Sequence, residues 1–81
     1  MKTNSALSRF ELEVDGKIAY ANYRIAKNIL NIDYVFSPPE LRGTGVAGKL
    51  MEDIVKYAKE QNMEIVPICG YAAAWMKRHA S

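Results

Sequence analysis

From Ser8 to Val14 apolar and polar positions alternate. Phe10, Leu12 and Val14 fall on one face and Arg9, Glu11 and Glu13 on the other, the period-two pattern of a half-buried strand. Asp15-Gly16 follows, a pair suited to a type I′ hairpin turn because both positions there need φ > 0. A return strand is predicted from Lys17 to Arg24, with Ile18 and Tyr20 sharing a face. Ala26-Lys27-Asn28 makes a second turn. A third strand then runs from Ile29 to Ser37, where Leu30, Ile32, Tyr34 and Phe36 alternate with Asn31, Asp33 and Val35. The first half reads as an antiparallel meander with one polar-leaning face, preceded by a polar, flexible lead-in over residues 1–6.

After Pro38-Pro39 the period changes. Val46, Ala47, Leu50, Met51, Ile54 and Ala58 form a stripe at helical spacing, which predicts a helix from Gly43 to Gln61. Lys49, Glu52, Asp53, Lys56 and Glu60 take the other side. Lys49–Asp53, Glu52–Lys56 and Lys56–Glu60 are candidate i,i+4 pairs, each worth ~0.2–0.5 kcal/mol. Glu64 to Cys69 reads as a fourth strand, reached from the third by a parallel crossover through the helix. Pro67 has no N–H to donate, so that part of the strand belongs at an edge or a gap. Gly70 breaks the strand, and Tyr71 to His79 reads as a second helix with Tyr71 and Trp75 one turn apart. The layout is β-β-β-α-β-α in one domain, residues 1–81, of the α/β (α+β) class.

The chain has 81 residues with 49% hydrophobic and 25% charged, enough for one modest core. The net charge of +2 is too small to imply a nucleic-acid or anionic-membrane partner. One cysteine, Cys69, excludes an internal disulfide and suggests a reducing, cytoplasmic compartment. Met1–Ser5 is polar and lacks the apolar core of a signal peptide, and no apolar run reaches the ~20 residues of a membrane span.

The candidate chemistry lies in Arg42-Gly43-Thr44-Gly45-Val46-Ala47-Gly48-Lys49. Glycines let a backbone turn tightly and approach a ligand. A helix starting there aims unpaired N–H groups and a partial positive charge at the loop, which makes an anion site. Three phosphate motifs overlap on this stretch. A P-loop is met by Gly43, Gly48 and Lys49, but Leu50 stands where the Mg²⁺-holding hydroxyl should be. A dinucleotide fingerprint is met by Gly43, Gly45 and Gly48, but Glu64 starts its strand instead of ending it. An acetyl-CoA loop, [Q/R]-x-x-G-x-[G/A], is met by Arg42, Gly45 and Ala47. Context favours the third. Three antiparallel strands precede the glycines, too little chain follows for a parallel sheet, and Ser37–Leu41 separates the strand end from the glycines.

Strand, bent loop, R-G-T-G-V-A, long helix and strand resemble the core of the GNAT superfamily of acetyl-CoA-dependent acetyltransferases. E-V-D-G at Glu13–Gly16, then S-P-P-E-L-R-G-T-G-V-A-G-K-L, then V-P-I-C-G-Y are similar to its minimal single-domain members, which carry a P-x-C-x-Y motif near the C-terminus. Gly70 stands where those proteins usually have Pro or Ser. The resemblance covers about Phe10 to His79. It implies that the third and fourth strands splay apart at their C-terminal ends. It also implies that acyl-pantetheine pairs with the strand backbone at Tyr34, Val35 and Phe36. The pyrophosphate would sit on N–H groups from Gly43 through Thr44, Gly45 and Val46 to Ala47, at the helix start that includes Gly48. Arg42 and Lys49 are candidates for added phosphate contacts, and no metal is required.

The transfer chemistry has fewer pointers. Moving acetyl to an amine needs a base for the amine and an acid for the leaving thiolate. Asp33 and Glu40 are candidate bases by proximity alone, with solvated surface charge as the alternative. Cys69, at a strand end beside a helix start, is either a nucleophile or a small packing residue. Tyr71 either donates a proton or packs on pantetheine; Trp75 is expected in the core and His79 as an exposed cation at a helix end. The reading is a GNAT-like protein that binds acetyl-CoA or CoA and passes acetyl to an unknown amine, as monomer or homodimer. The alternatives are a CoA-binding or interaction module without efficient turnover and, less favoured by the context, a P-loop nucleotide binder.

Overall fold

The computed structural model describes residues 1–79. Five strands, β1 (Lys2–Asn4), β2 (Arg9–Val14), β3 (Lys17–Ala26), β4 (Ile29–Phe36) and β5 (Glu64–Pro67), form one sheet in chain order. Helix α1 spans Val46–Glu60 and α2 spans Gly70–His79. A short 3-10 turn, Pro39–Leu41, leads into the glycine stretch. The strands β1 to β4 pair antiparallel, and β4 pairs with β5 in parallel through the α1 crossover.

The hairpin turn forms as its sequence demands, with Asp15 and Gly16 both at positive φ. Lys27, at φ 57°, turns the chain between β3 and β4. β3 runs on to Ala26, into the expected turn, and three larger differences from the sequence pattern stand out. Lys2–Asn4 pairs with Arg9–Glu11 as β1, where no strand was expected, because ladder bonds are made by backbone and need no apolar side chains. The long helix begins at Val46 and not at Gly43, since Gly43 and Gly45 hold φ near +80°, outside the helical region. β5 stops at Pro67, two residues short of Cys69.

The buried face also differs. On β3 the core residues are Ala19 and Ala21, both fully buried, while Ile18 and Tyr20 point to the opposite side. Small alanines there let α1 lie close to the sheet. On β4 the expected alternation breaks at Asp33. Tyr23 pairs with Ile32 but Asn22 pairs with Tyr34, so Asp33 is an extra residue, a β-bulge. Beyond it the faces exchange. Val35, opposite Ala21, turns toward the core, and Tyr34 and Phe36 join Tyr20 on the outer face, with ring centroids 6.4 and 5.2 Å from the Tyr20 ring. That face is therefore partly aromatic and not simply polar.

Val46, Leu50, Met51, Ile54 and Ala58 of α1 are buried on Phe10, Ala19, Ala21, Leu30 and Ile32. Phe10 ties the layers together: it stacks on Tyr23 at 4.4 Å and meets Tyr57 of α1 edge-on at 5.2 Å. Ala72 and Trp75 of α2 join the same cluster. A Cβ added to Gly48 would lie 3.5 Å from Trp75 Nε1, so the bare Gly48 backbone is where the α2 indole seats against α1. Val66 and Ile68 stay exposed on the other side of β5, so the helices cover one face. The shortest dimension, 20 Å, is that of two layers. Of the three candidate i,i+4 pairs, Lys49–Asp53 closes at 3.2 Å. No helix of the described residues is long and apolar enough to cross a membrane.

Candidate active site

The site forms where β4 outruns β5. Their ladder ends with Ile32 opposite Pro67, and the N–H groups of Ile68 and Cys69 both donate to the Ile32 carbonyl, at 3.0 and 3.1 Å. From Asp33 to Phe36 β4 has no partner on that side, so a gap opens. Ser37-Pro38 and the 3-10 turn carry the chain away from the strand end and back over it. Leu41, 6% exposed, pins this turn to the core. Gly43 at φ 82° and Gly45 at φ 84° then make two left-handed turns that a β-carbon would oppose, and α1 starts at once.

No side chain caps α1. Its first backbone bond runs from the Lys49 N–H to the Gly45 carbonyl, leaving the N–H groups of Val46, Ala47 and Gly48 without a helical partner. They border a pocket of about 420 Å³ lined by β4 (Tyr34, Val35, Phe36), Ser37, Leu41, the glycine stretch and Tyr71. Arg42 is the one charged residue among those lining it. Its Nε donates to the Ser37 carbonyl at 3.1 Å, which fixes the root of the guanidinium and leaves its outer nitrogens to other acceptors. Ser37 Oγ is buried with no hydrogen-bond partner, and a buried hydroxyl left unpaired costs free energy that a ligand or water would recover.

Most residues singled out from sequence come together in this pocket: Tyr34, Val35, Phe36, Arg42, Gly43, Gly45, Val46, Ala47, Gly48 and Tyr71. Two from the same stretch do not line it. The Thr44 hydroxyl donates to the Leu41 carbonyl, closing the turn on itself, and the Lys49 ammonium is held by Asp53. Cys69 is half-buried against the core and also stays off the pocket wall. It precedes α2, and its carbonyl accepts from the Ala73 N–H at 2.9 Å. It thus caps a helix and does not end a strand. Ser37 was missed in the sequence. Its only signal is its place between a strand end and Pro38.

The two carboxylates named as candidate bases are both engaged. Asp33 takes a two-pronged contact from Arg24, 2.7 and 2.9 Å, and that guanidinium holds its carboxyl below the ordinary value. A carboxylate so held is a poor proton acceptor near neutral pH. Glu40 faces Lys17 at 3.8 Å on the surface. No Asp, Glu or His lines the pocket among the described residues, and no group of metal-ligating side chains is found among them. Trp75 is buried, and His79 stacks on it at 4.0 Å with Nδ1 2.8 Å from the Trp75 carbonyl.

A pocket that joins an unpaired strand edge to glycine turns and an uncapped helix start, with a single cation, suits an extended ligand with an anionic end. No curated protein matches the chain. The family model described as GCN5-related N-acetyl-transferase matches residues 9–81, and the chain belongs to that family.

Proposed function

We propose that the protein binds acetyl-CoA and transfers its acetyl group to an amine. The observation that carries this reading is the continuity of the pocket from the open β4 edge to the start of α1. Pantetheine is an extended chain of amides, and the free backbone groups of Tyr34 to Phe36 offer it strand-like pairing. The pyrophosphate meets the N–H groups of Gly43 to Gly48, where the α1 dipole favours negative charge. Arg42 adds a charge-assisted contact. Ser37 Oγ supplies a hydrogen bond to the same ligand once the wall relaxes around it. Lys49, tied to Asp53, takes no part, and Leu50, a hydrocarbon side chain fully buried in the core, stands where a P-loop needs a hydroxyl for Mg²⁺.

In the transfer, the amine nitrogen attacks the thioester carbonyl, the C–S bond breaks, and the thiolate leaves with the electron pair. Tyr71 lines the pocket, and on this reading its phenol gives a proton to the sulfur and is restored by the proton that the nitrogen sheds. Calorimetry with acetyl-CoA, CoA and ATP·Mg²⁺ tests the reading: CoA species bind and ATP does not. Tight ATP binding without CoA binding overturns it.

The second reading is a CoA-binding module with little turnover. It is favoured by the lack of any carboxylate or imidazole on the pocket wall among the described residues. Thiol release with a panel of amines separates the two. For Cys69, mass measurement after exposure to acetyl-CoA decides between a nucleophile, which gains an acetyl group, and a packing residue, which does not.

A further inference from the structure

Among the described residues the pocket lining offers an amine no carboxylate. Tyr34 (49% exposed), Ile68 (54%) and Tyr71 (38%) are among the large hydrophobic side chains left open. Two of them line the pocket, and the third follows the end of β5 beside it. The Ile68 N–H bonds the Ile32 carbonyl, two residues from Tyr34, while Tyr34 and Tyr71 both line the pocket. Phe36 and Tyr20 extend this surface along the outer face of the sheet. Two carboxylates of the outer face are held by cations: Glu11 by Arg9 at 2.7 Å and Asp33 by Arg24 at 2.7 Å. Tyr20 already carries a cation on its ring, with the Arg9 guanidinium carbon 4.5 Å from the centroid.

We propose that the acceptor is a monoamine on an apolar, preferably aromatic, body, seated on Tyr34, Phe36, Ile68 and Tyr71, and that polyamines and basic peptides are excluded. The inference rests on the acetyl-CoA reading above. A polycation brings several charges to a pocket whose described lining holds no carboxylate and includes Arg42, and desolvating those charges without partners is costly. A single amine on a hydrocarbon or aryl body buries its apolar part against the rings. Its one nitrogen arrives at the thioester uncharged after losing a proton to water. It then forms the amide bond as the C–S bond breaks, and its second proton reaches the sulfur by way of Tyr71, giving amide and CoA thiol.

The test uses the whole chain saturated with CoA or acetyl-CoA and two probes, phenethylamine and spermidine. By NMR with CoA bound, phenethylamine shifts the Tyr34, Phe36 and Ile68 side-chain signals and spermidine does not. By thiol release, phenethylamine exceeds spermidine in kcat/KM by about tenfold or more, the scale of a single apolar group in a pocket. Ile68→Asp, at an exposed position that tolerates a charge, narrows or reverses that preference, and Ile68→Leu keeps it. Spermidine used as well as phenethylamine, or CoA bound with neither amine perturbing these residues, overturns the inference while leaving the acetyl-CoA reading in place. Failure of CoA to bind overturns both, and calorimetry identifies that case independently.

Discussion

Gly45 and Gly48 lie three residues apart in one motif, yet the structure gives their alanine variants opposite signs. Gly45 sits at φ 84°, ψ 5°, with nothing within 4 Å of a β-carbon built there. Space is therefore no obstacle at Gly45, but the left-handed backbone costs an L-residue ~1–2 kcal/mol. Gly48 has helical backbone inside α1, and its added Cβ would meet Trp75 Nε1 at 3.5 Å, an ordinary van der Waals contact. Gly48→Ala should then gain up to ~1 kcal/mol of helix propensity. For a domain of this size 1 kcal/mol moves Tm by ~4–8 °C. Gly45→Ala should lower Tm by ~4–16 °C and Gly48→Ala should raise it by up to ~8 °C on the same basis. Thermal unfolding by circular dichroism reads both. Trp75 is the only tryptophan, so its emission reports the seat directly. It should be unchanged in Gly48→Ala and red-shifted in Gly48→Leu, where the longer side chain displaces the indole. Destabilisation by Gly48→Ala with a red shift would refute the packing argument. Stability unchanged in Gly45→Ala would refute the strain argument.

Other outcomes follow from the same geometry. Gly45→Asp should stay folded but lose CoA binding by calorimetry, because a carboxylate then occupies the anion's place. Leu50→Ser should lose ~2–4 kcal/mol in urea unfolding, as a fully buried leucine does when truncated, and gain no ATP affinity. The Arg24–Asp33 pair lowers the Asp33 pKa from 3.8, so its stabilisation is complete above that value and fades as pH falls through the lower folded value. Asp33→Asn should therefore flatten the acid limb of a pH titration of stability and leave stability near pH 7 little changed, the pair being exposed. Because no carboxylate or imidazole of the described residues lines the pocket, acetyl transfer to an alkylamine should climb with pH toward the amine's own pKa, near ~10. A plateau near neutral pH in the rate profile would expose a base that the pocket lining lacks.

The elements readable from sequence were those written in side-chain periodicity or in obligatory turn chemistry. The Phe10–Leu12–Val14 alternation, Asp15-Gly16 and the α1 stripe each recur in the structure because one local physical rule dictates each. Pro67 at the end of an edge strand belongs with them, since a missing N–H is a local fact. Other features are decided by partners distant in sequence. β1 forms from three residues of no hydrophobic character because β2 offers an open edge. Ala19 and Ala21, weak signals beside Ile18 and Tyr20, take the buried face because α1 packs closely there. Cys69 reads as a strand end, but the ladder has already stopped at Pro67. Its backbone turns instead to bond Ile32 and cap α2.

The bulge at Asp33 is the feature on which the site turns, and nothing in Ile29–Phe36 announces it. Read in strict alternation, the strand puts Tyr34 and Phe36 beside Leu30 and Ile32 on the core face. The extra residue sends them outward, turns Val35 inward, and increases the local twist of β4. At the same point β5 ceases to follow: its last pairing is with Ile32, the residue just before the bulge. Two strands that diverge leave one set of backbone groups unpaired, an arrangement disfavoured unless something pairs with them. Arg24 fastens the Asp33 side chain on the outer face, so the bulge is held by a side-chain contact as well as by register. A residue that sequence proximity nominates as a base is thus part of the framework. By opening the sheet it brings Tyr34, the glycine turns and Tyr71 to one pocket. The same gap therefore exposes the apolar rim toward which the proposed acceptor is drawn.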